Sequence, residues 1–421
     1  MNLNYFKTVF LETKELAFSQ VLIVFLLFIQ ISVVTRGLGT SNYGRAALVL
    51  ALVALVFRTL HSRNSDVTLL MLKKHGKNIY TVSLLFDIFI GIISMFICII
   101  LFQSSFNTLF GDYQFNLILT ILLSSRVIQT LSESSKAVLT FHGKFKKFAF
   151  VDSISNILRF LAIVILFYFE QSIENYLLGQ ALFSFTYGLL GVFVCRKYLE
   201  ISDISIKNIK EYFQVFKLDF FKQRADQLVG IIPQHLDLII LGYFTDFSTV
   251  GVFRIAKRLV EPINYVITIL NPYVQNKLSS DDADINFNDL IKNFLLPLIF
   301  VLAISYVSLG KNFIQILSGK EFLEAFFPMM ILLGGYFTYL ATFWIRQLLL
   351  FNDLLQYHAV SRLIATASFL VLSLLLVNQH GANGLAAALS VSMVLQKVYE
   401  FSIYSKSVSY THLRAHETLS H

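Results

Sequence analysis

The sequence predicts an all-α polytopic membrane protein with about 12 transmembrane helices, arranged as two six-helix lobes around a central cavity. Three observations carry that prediction. Of 421 residues 56% are hydrophobic and only 14% charged, whereas a soluble domain carries about 25% charged residues. Apolar runs of about 20 residues, the length that crosses a bilayer core, recur along the whole chain. Lys and Arg collect in the connections after the second, fourth and sixth runs, as the positive-inside rule requires of cytoplasmic loops. The 42 Phe and 5 Pro agree, since a helix that meets lipid can be apolar on every face.

The first run, AFSQVLIVFLLFIQISVVT, follows Lys7, Glu12, Lys14 and Glu15. It exceeds a signal-peptide core of roughly 7–15 residues and no small-x-small cleavage site follows, so it is read as a span. Spans are predicted near 17–35, 44–60, 79–102, 115–139, 148–169 and 176–195, then near 218–241, 247–274, 289–309, 326–351, 357–378 and 381–400. The segments HSRNSDVTLLMLKKHGKN, TFHGKFKK and RKYLEISDISIKNIKEYFQVFK are basic, whereas QSSFNTLFGDYQ, EQSIEN, YFTDFS and QHGA have no Lys or Arg. Both termini are therefore placed in the cytoplasm. This topology accounts for the formal net charge of +8 without a nucleic-acid partner.

Domain boundaries follow from the central basic stretch. Residues 1–200 are read as an N-terminal lobe, 201–217 as a cytoplasmic linker, 218–402 as a C-terminal lobe and 403–421 as a non-native or disordered tail. The ending SVSYTHLRAHETLSH breaks from the composition before it, and His412 with His416 is a weak metal pair to which no site is assigned. Cys98 and Cys195 lie in separate apolar runs and are read as inert buried thiols. An internal echo supports the two lobes: GLGTSNYGRAALVLALVALVF from Gly37 and LGYFTDFSTVGVFRIAKRLVEP from Leu241 each pass from a span end to a glycine and the next helix. Such duplicated halves typify transporters. Gly242 and Gly251 are expected to shape the outer turn.

A charge at the bilayer centre costs about 2.5–3.5 kcal/mol on insertion scales, so such residues face a bundle interior or a watery cavity. Arg126, Gln129, Thr130, Glu133 and Lys136 recur at helical spacing in one run, and Asp152, Ser155, Asn156 and Arg159 in the next. Lys222, Arg224, Asp226 and Asp237 populate a third, and Arg254, Lys257, Arg258 and Glu261 a fourth. Taken singly, each is explained by an internal ion pair or by snorkelling to the interface. Together, four stripes with a cationic balance point to a hydrated, positively biased cavity that suits phosphate and sugar hydroxyls. Arg58 and Arg346 are read as helix-end anchors, Asp87 as an interfacial carboxylate and Trp344 as bundle packing. No Walker loop, dinucleotide fingerprint, HExxH or nucleophile elbow appears, and the longest outer connection, GKNFIQILSGKEFLEA, is short for a catalytic domain. The chain is accordingly expected not to be an enzyme and to use no cofactor.

At this point a family resemblance emerges. TRGLGTSNYGRAALVLALVALVF resembles the first interhelical signature of the polysaccharide transporter branch of the MOP exporter superfamily, and HLDLIILGYFTDFSTVGVFRIAKRLVEPINYV resembles its counterpart in the second half. The resemblance covers the chain to about residue 400 and implies a MATE-like, Wzx-type O-antigen flippase. It implies export of an undecaprenyl-pyrophosphate-linked oligosaccharide across a bacterial inner membrane by alternating access, with ion coupling. The partners it implies are that substrate, the bilayer, and polysaccharide polymerase and chain-length proteins. Arg254 and Arg258 are the first candidates for substrate contact, followed by Lys257, Arg126, Lys136 and Arg159. Asp237, Glu133, Asp152 and Glu261 are candidates for ion coupling or pairing. A drug or cation antiporter of the same superfamily and a membrane-embedded polysaccharide polymerase or ligase stay open as alternatives.

Overall fold

In hydrocarbon a backbone must satisfy its own N–H and C=O groups, which a helix does within one segment. The computed structural model describes residues 3–61, 64–75, 79–104, 116–199, 206–222, 224–279, 291–351 and 354–418, and no strand occurs among them. The run Leu3–His61 is broken at Gly39, whose φ of 69° lies where only glycine sits without strain; this makes α1 (3–38) and α2 (40–61). α3 (Asn64–His75), α4 (Tyr80–Ser104), α5 (Asn116–Phe141), α6 (Phe145–Phe169) and α7 (Ile173–Cys195) follow. Then come α8 (Ile206–Lys222), α9 (Arg224–Phe244), α10 (Phe247–Val260) and α11 (Pro262–Ser279). A π turn, Ile291–Leu295, leads into α12 (Leu296–Ser318), and a 3-10 segment, Lys320–Ala325, into α13 (Phe326–Phe351). Gly381, with φ 51°, divides the last run, Leu355–Thr418, into α14 (355–380) and α15 (382–418).

Seven described stretches are long and apolar enough to cross a membrane, and two of them, Leu22–His61 and Gln356–Ser405, contain two helices each. The more charged α5, α9 and the bent pair α10 and α11 complete the set of crossings expected from the sequence. The chain is a multi-pass membrane protein.

Two basic connections are more ordered than expected. α3 lies within HSRNSDVTLLMLKKHGKN and α8 begins within the 201–217 linker. Val67, Met71 and Leu72 of α3 and Tyr212 of α8 are buried against Ile79, Tyr80 and Leu84 near the start of α4 and Val138 and Leu139 near the end of α5. The Thr68 and Tyr212 hydroxyls hydrogen-bond at 2.9 Å. These two helices carry charge among their apolar residues, which hides them from a search for continuous apolar runs. GKNFIQILSGKEFLEA also differs from the loop expected, because α12 runs through it to Ser318 before the 3-10 segment.

Short connections are capped by their own side chains. Ser172 accepts from the Asn175 N–H at 3.3 Å to start α7, while the Asn175 amide donates back to the Glu170 carbonyl at 2.8 Å. Asp246 Oδ1 accepts from the Thr249 N–H at 2.7 Å at the start of α10. Each pairs a group that a helix end leaves unsatisfied.

The chain forms two compact units, Met1–Gly251 with Leu317–Gly319, and Val252–Ile316 with Lys320–His421. The first reaches to Gly251 because α9 and the opening of α10 pack on the α1 and α2 hairpin. A Cβ on Gly44 would lie 1.8 Å from the Phe247 carbonyl oxygen, and one on Gly251 would lie 2.2 Å from that of Thr40. Ser248 donates to Thr40 Oγ1 at 2.8 Å across the same contact, and a Cβ on Gly242 would meet Leu48 at 2.8 Å. The two segments of the internal echo thus touch each other backbone to backbone. Gly242 and Gly251 sit within α9 and α10, where small size permits close approach.

Gly44→Val and Gly251→Val are each expected to destabilise the fold by about 1–3 kcal/mol through overpacking. Gly334→Ala, with no atom within 4 Å of its added Cβ, is expected to be neutral or slightly stabilising. Thermal unfolding of the detergent-solubilised chain distinguishes these outcomes.

Candidate functional site

In the first unit, polar side chains gather among α2, α5, α6 and α7. Arg126 Nη1 donates to Gln129 Oε1 at 2.7 Å, and the positive charges of Arg58 and Arg159 act on Arg126. Its Nε is buried and has no hydrogen-bond partner among the described residues; the same holds for Gln30 Oε1 and Ser155 Oγ. Buried polar atoms are normally paired, so these mark where an additional acceptor or donor would be accommodated. Arg159 sits over the Phe183 ring at 4.9 Å, a contact that favours the cation without neutralising it.

The acidic candidates of this unit meet at a different residue. Asp152 and Glu133 both act electrostatically on Tyr187 of α7, and Asp152 Oδ1 accepts from the Asn156 amide at 3.3 Å. The expected α5 stripe is therefore divided: Arg126 and Gln129 pair together, and Glu133 joins Asp152 about Tyr187. Thr130 turns to α4, donating to the Asp87 carbonyl at 3.0 Å. Lys136 is exposed, with its ammonium 5.5 Å from the Phe148 ring centroid. Asp237 is fully buried on α9, and its Oδ1 accepts from the Leu238 N–H at 2.8 Å. Pro233 interrupts that helix four residues earlier and cannot donate to the carbonyl one turn back.

The charges of α10 gather around the bend that follows it. Glu261 lies between α10 and Pro262, at a position where the following proline disfavours continued helix. Its carboxylate receives Arg258 Nη1 at 2.8 Å and lies 4.0 Å from Arg254 Nη1. Lys257 is buried and also acts electrostatically on Glu261. Three cations thus surround one carboxylate. The Leu259 carbonyl, near the helix end, accepts from the Tyr306 hydroxyl of α12 at 2.7 Å.

Arg58 sits in the last turn of α2, at the helix end as expected, and also contributes to the field at Arg126. One residue differs from its sequence expectation. Asp87, read as interfacial, is fully buried, and its Oδ2 accepts from both the hydroxyl and the N–H of Ser134. Its carbonyl also receives Thr130 and lies 3.3 Å from His61 Nε2. The signal for Asp87 was its place within an apolar run; the partners that satisfy it come from α5 and α2 and have no local signature. The side chains of Lys222, Arg224, Asp226, His412 and His416 lie outside the described residues. Among the described residues no group of three metal-ligating side chains occurs.

The chain matches the model of the family described as "Polysaccharide biosynthesis protein" over residues 33–327. It is 25% identical over 189 residues to the teichuronic acid biosynthesis protein TuaB of Bacillus subtilis (strain 168), a match covering 43% of this chain and 38% of that protein. The chain therefore spans well under half the length of that curated relative. Its fold is similar to a structure of the lipid II flippase MurJ in an inward closed conformation, with TM-score 0.73, 18% identity and coverage of 94% of this chain and 87% of that one. It is also similar to an inward-facing multidrug resistance MATE family transporter of the MOP superfamily, with TM-score 0.71, 12% identity and coverage of 92% and 95%.

Glu261→Gln removes the carboxylate shared by Arg254 and Arg258. It is expected to cost about 1–3 kcal/mol, the worth of a hydrogen bond to a charged group, and a lowered Tm relative to the unaltered chain checks it.

Proposed function

The chain belongs to the family described as "Polysaccharide biosynthesis protein", and we propose that it is a flippase of the MOP superfamily that translocates an undecaprenyl-pyrophosphate-linked oligosaccharide across a bacterial inner membrane. The polysaccharide class is an O-antigen, capsule or exopolysaccharide repeat unit. The observation that carries the reading is Arg126, whose buried Nε has no hydrogen-bond partner among the described residues while Arg58 and Arg159 add positive charge around it. A pyrophosphate supplies acceptor oxygens and negative charge to such a site. In hydrocarbon those charges would be costly, and fixed cations on the protein replace the lost water.

In this proposal, residues 1–200 and 218–402 act as the two lobes of an alternating-access transporter, with 201–217 as linker and 403–421 as a tail outside them. Both termini face the cytoplasm. Arg254, Arg258, Lys257, Arg126, Lys136 and Arg159 contact the anionic substrate. Glu133, Asp152, Asp237 and Glu261 are the coupling or pairing acids. The partners beyond the substrate and bilayer are polysaccharide polymerase and chain-length proteins. The activity is transport rather than catalysis.

A drug or cation antiporter is the second reading, favoured by Glu133 and Asp152 acting together on Tyr187, an acidic pair suited to a cationic ligand. The three cations around Glu261 suit an anionic cargo instead.

Complementation of a flippase-null strain, scored as surface polysaccharide, tests the proposal. The unaltered chain is expected to restore glycan in a host with a matching repeat unit. Arg126→Ala with Arg159→Ala is expected to lose roughly 1.5–3 kcal/mol per lost charged contact, or about ten- to a hundredfold in binding, and Arg→Lys at both sites to retain part of it. Full activity of the triple variant Arg254→Ala, Arg258→Ala and Asp237→Asn would remove α9 and α10 from the site. Raised drug tolerance with no glycan in any host would favour the antiporter.

A further inference from the structure

The second unit contains a charged network that neither the substrate contacts nor the proposed coupling acids use. Glu400 of α15 is fully buried, Lys397 is 2% exposed and His358 of α14 is 4% exposed. Glu400 Oε2 accepts from Lys397 Nζ at 2.7 Å. Its Oε1 lies 2.8 Å from His358 Nδ1 and accepts from Ser361 Oγ at 2.8 Å and from the Gln396 amide at 3.0 Å. From α13, the Tyr339 ring lies 4.3 Å from Lys397 Nζ. On these helices the other Lys and Arg residues whose side chains are described are Arg346 of α13 and Arg362 of α14, both half-buried.

We propose that the contact of His358 with Glu400 and Lys397 is a proton-binding site of this unit, in which uptake of one proton by the imidazole weakens the packing of α14 against α15. The argument is one of charge balance. Lys397 and Glu400 neutralise each other on one helix, three residues apart. A neutral imidazole donating its Nδ1–H then completes the carboxylate's partners and adds no charge. Protonation at Nε2 keeps that hydrogen bond but leaves the buried network with one net positive charge. The added charge also sits beside the ammonium of Lys397. A buried charge without compensation is expensive, and parting the helices to admit water relieves it. Histidine is the side chain that ordinarily makes such a change between about pH 5 and 8. Nothing in this inference depends on the cargo, so its failure leaves the flippase reading intact.

Trp344 is the sole tryptophan and provides the readout. Its indole N–H donates to the Ala341 carbonyl at 2.9 Å, and its ring meets that of Tyr404 on α15 edge-on with centroids 5.5 Å apart. Emission from the detergent-solubilised full chain therefore follows the contact between α13 and α15. A one-proton transition is expected, lost in His358→Asn and retained in the control His61→Gln. Its midpoint is expected to fall by about one pH unit or more in Glu400→Gln and to rise in Lys397→Met. The double variant Lys397→Met with Glu400→Gln removes both charges and is expected to return the midpoint toward that of the unaltered chain. A flat emission profile, a transition that survives His358→Asn, or midpoints displaced in the opposite directions would overturn the proposal.

Discussion

Hydrocarbon supplies neither hydrogen bonds nor counter-charges, so every polar group within the spans must find its partner inside the protein. The charged residues of this chain follow that constraint. Asp87 is met by Ser134 from the neighbouring helix, Glu261 by Arg258 and Arg254 at a proline bend, and Glu400 by Lys397, His358, Ser361 and Gln396. Arg159 and Arg45 lie over the faces of Phe183 and Phe247, an apolar surface that still attracts a cation. Arg126 shares with Arg45 a buried Nε that has no hydrogen-bond partner among the described residues, and Gln129 occupies another of its guanidinium nitrogens. A binding site in a membrane needs this kind of residual polarity, held by surroundings that are otherwise satisfied.

The same solvent determines how helices approach one another. Lipid tails are as apolar as leucine, so helix contact relies on close packing rather than on hydrophobic exclusion. Gly44 and Gly251 meet this requirement at the start of α2 and in α10, where any side chain would enter the opposing backbone. Their contact is what brings α9 and the opening of α10 into the same compact unit as the first hairpin. Gly39 and Gly381 do a different job, turning the chain sharply at positive φ so that two spans follow almost without a loop.

Much of this was legible in the sequence because hydropathy over about 20 residues is a strong signal. The spans and the presence of polar residues within them follow from it. Helices α3 and α8 escaped because charged residues interrupt their apolar positions, and their packing involves Tyr212 reaching Thr68 far away in the chain. Gly242 and Gly251 were noticed as glycines of a repeated segment, but their packing partners, Leu48 and Thr40, belong to another helix and are invisible locally. Lys397 and Glu400 did carry a local signal, the three-residue spacing within an apolar run that also marked Arg258 and Glu261. Their link to His358 required the α14 and α15 hairpin to fold.

The proposed function, a carrier for a lipid with a charged, hydrophilic head, draws on the family, the helical architecture and the polarity at Arg126. The most direct measurement uses vesicles containing the purified chain and a fluorescent polyprenyl-pyrophosphate-linked oligosaccharide inserted in the outer leaflet. Protection of the glycan from an external glycosidase is followed over time. The account predicts protection in vesicles with the unaltered chain and its loss when Arg126 and Arg159 are both alanine. Equal protection in protein-free vesicles, or undiminished protection in the double variant, would contradict it.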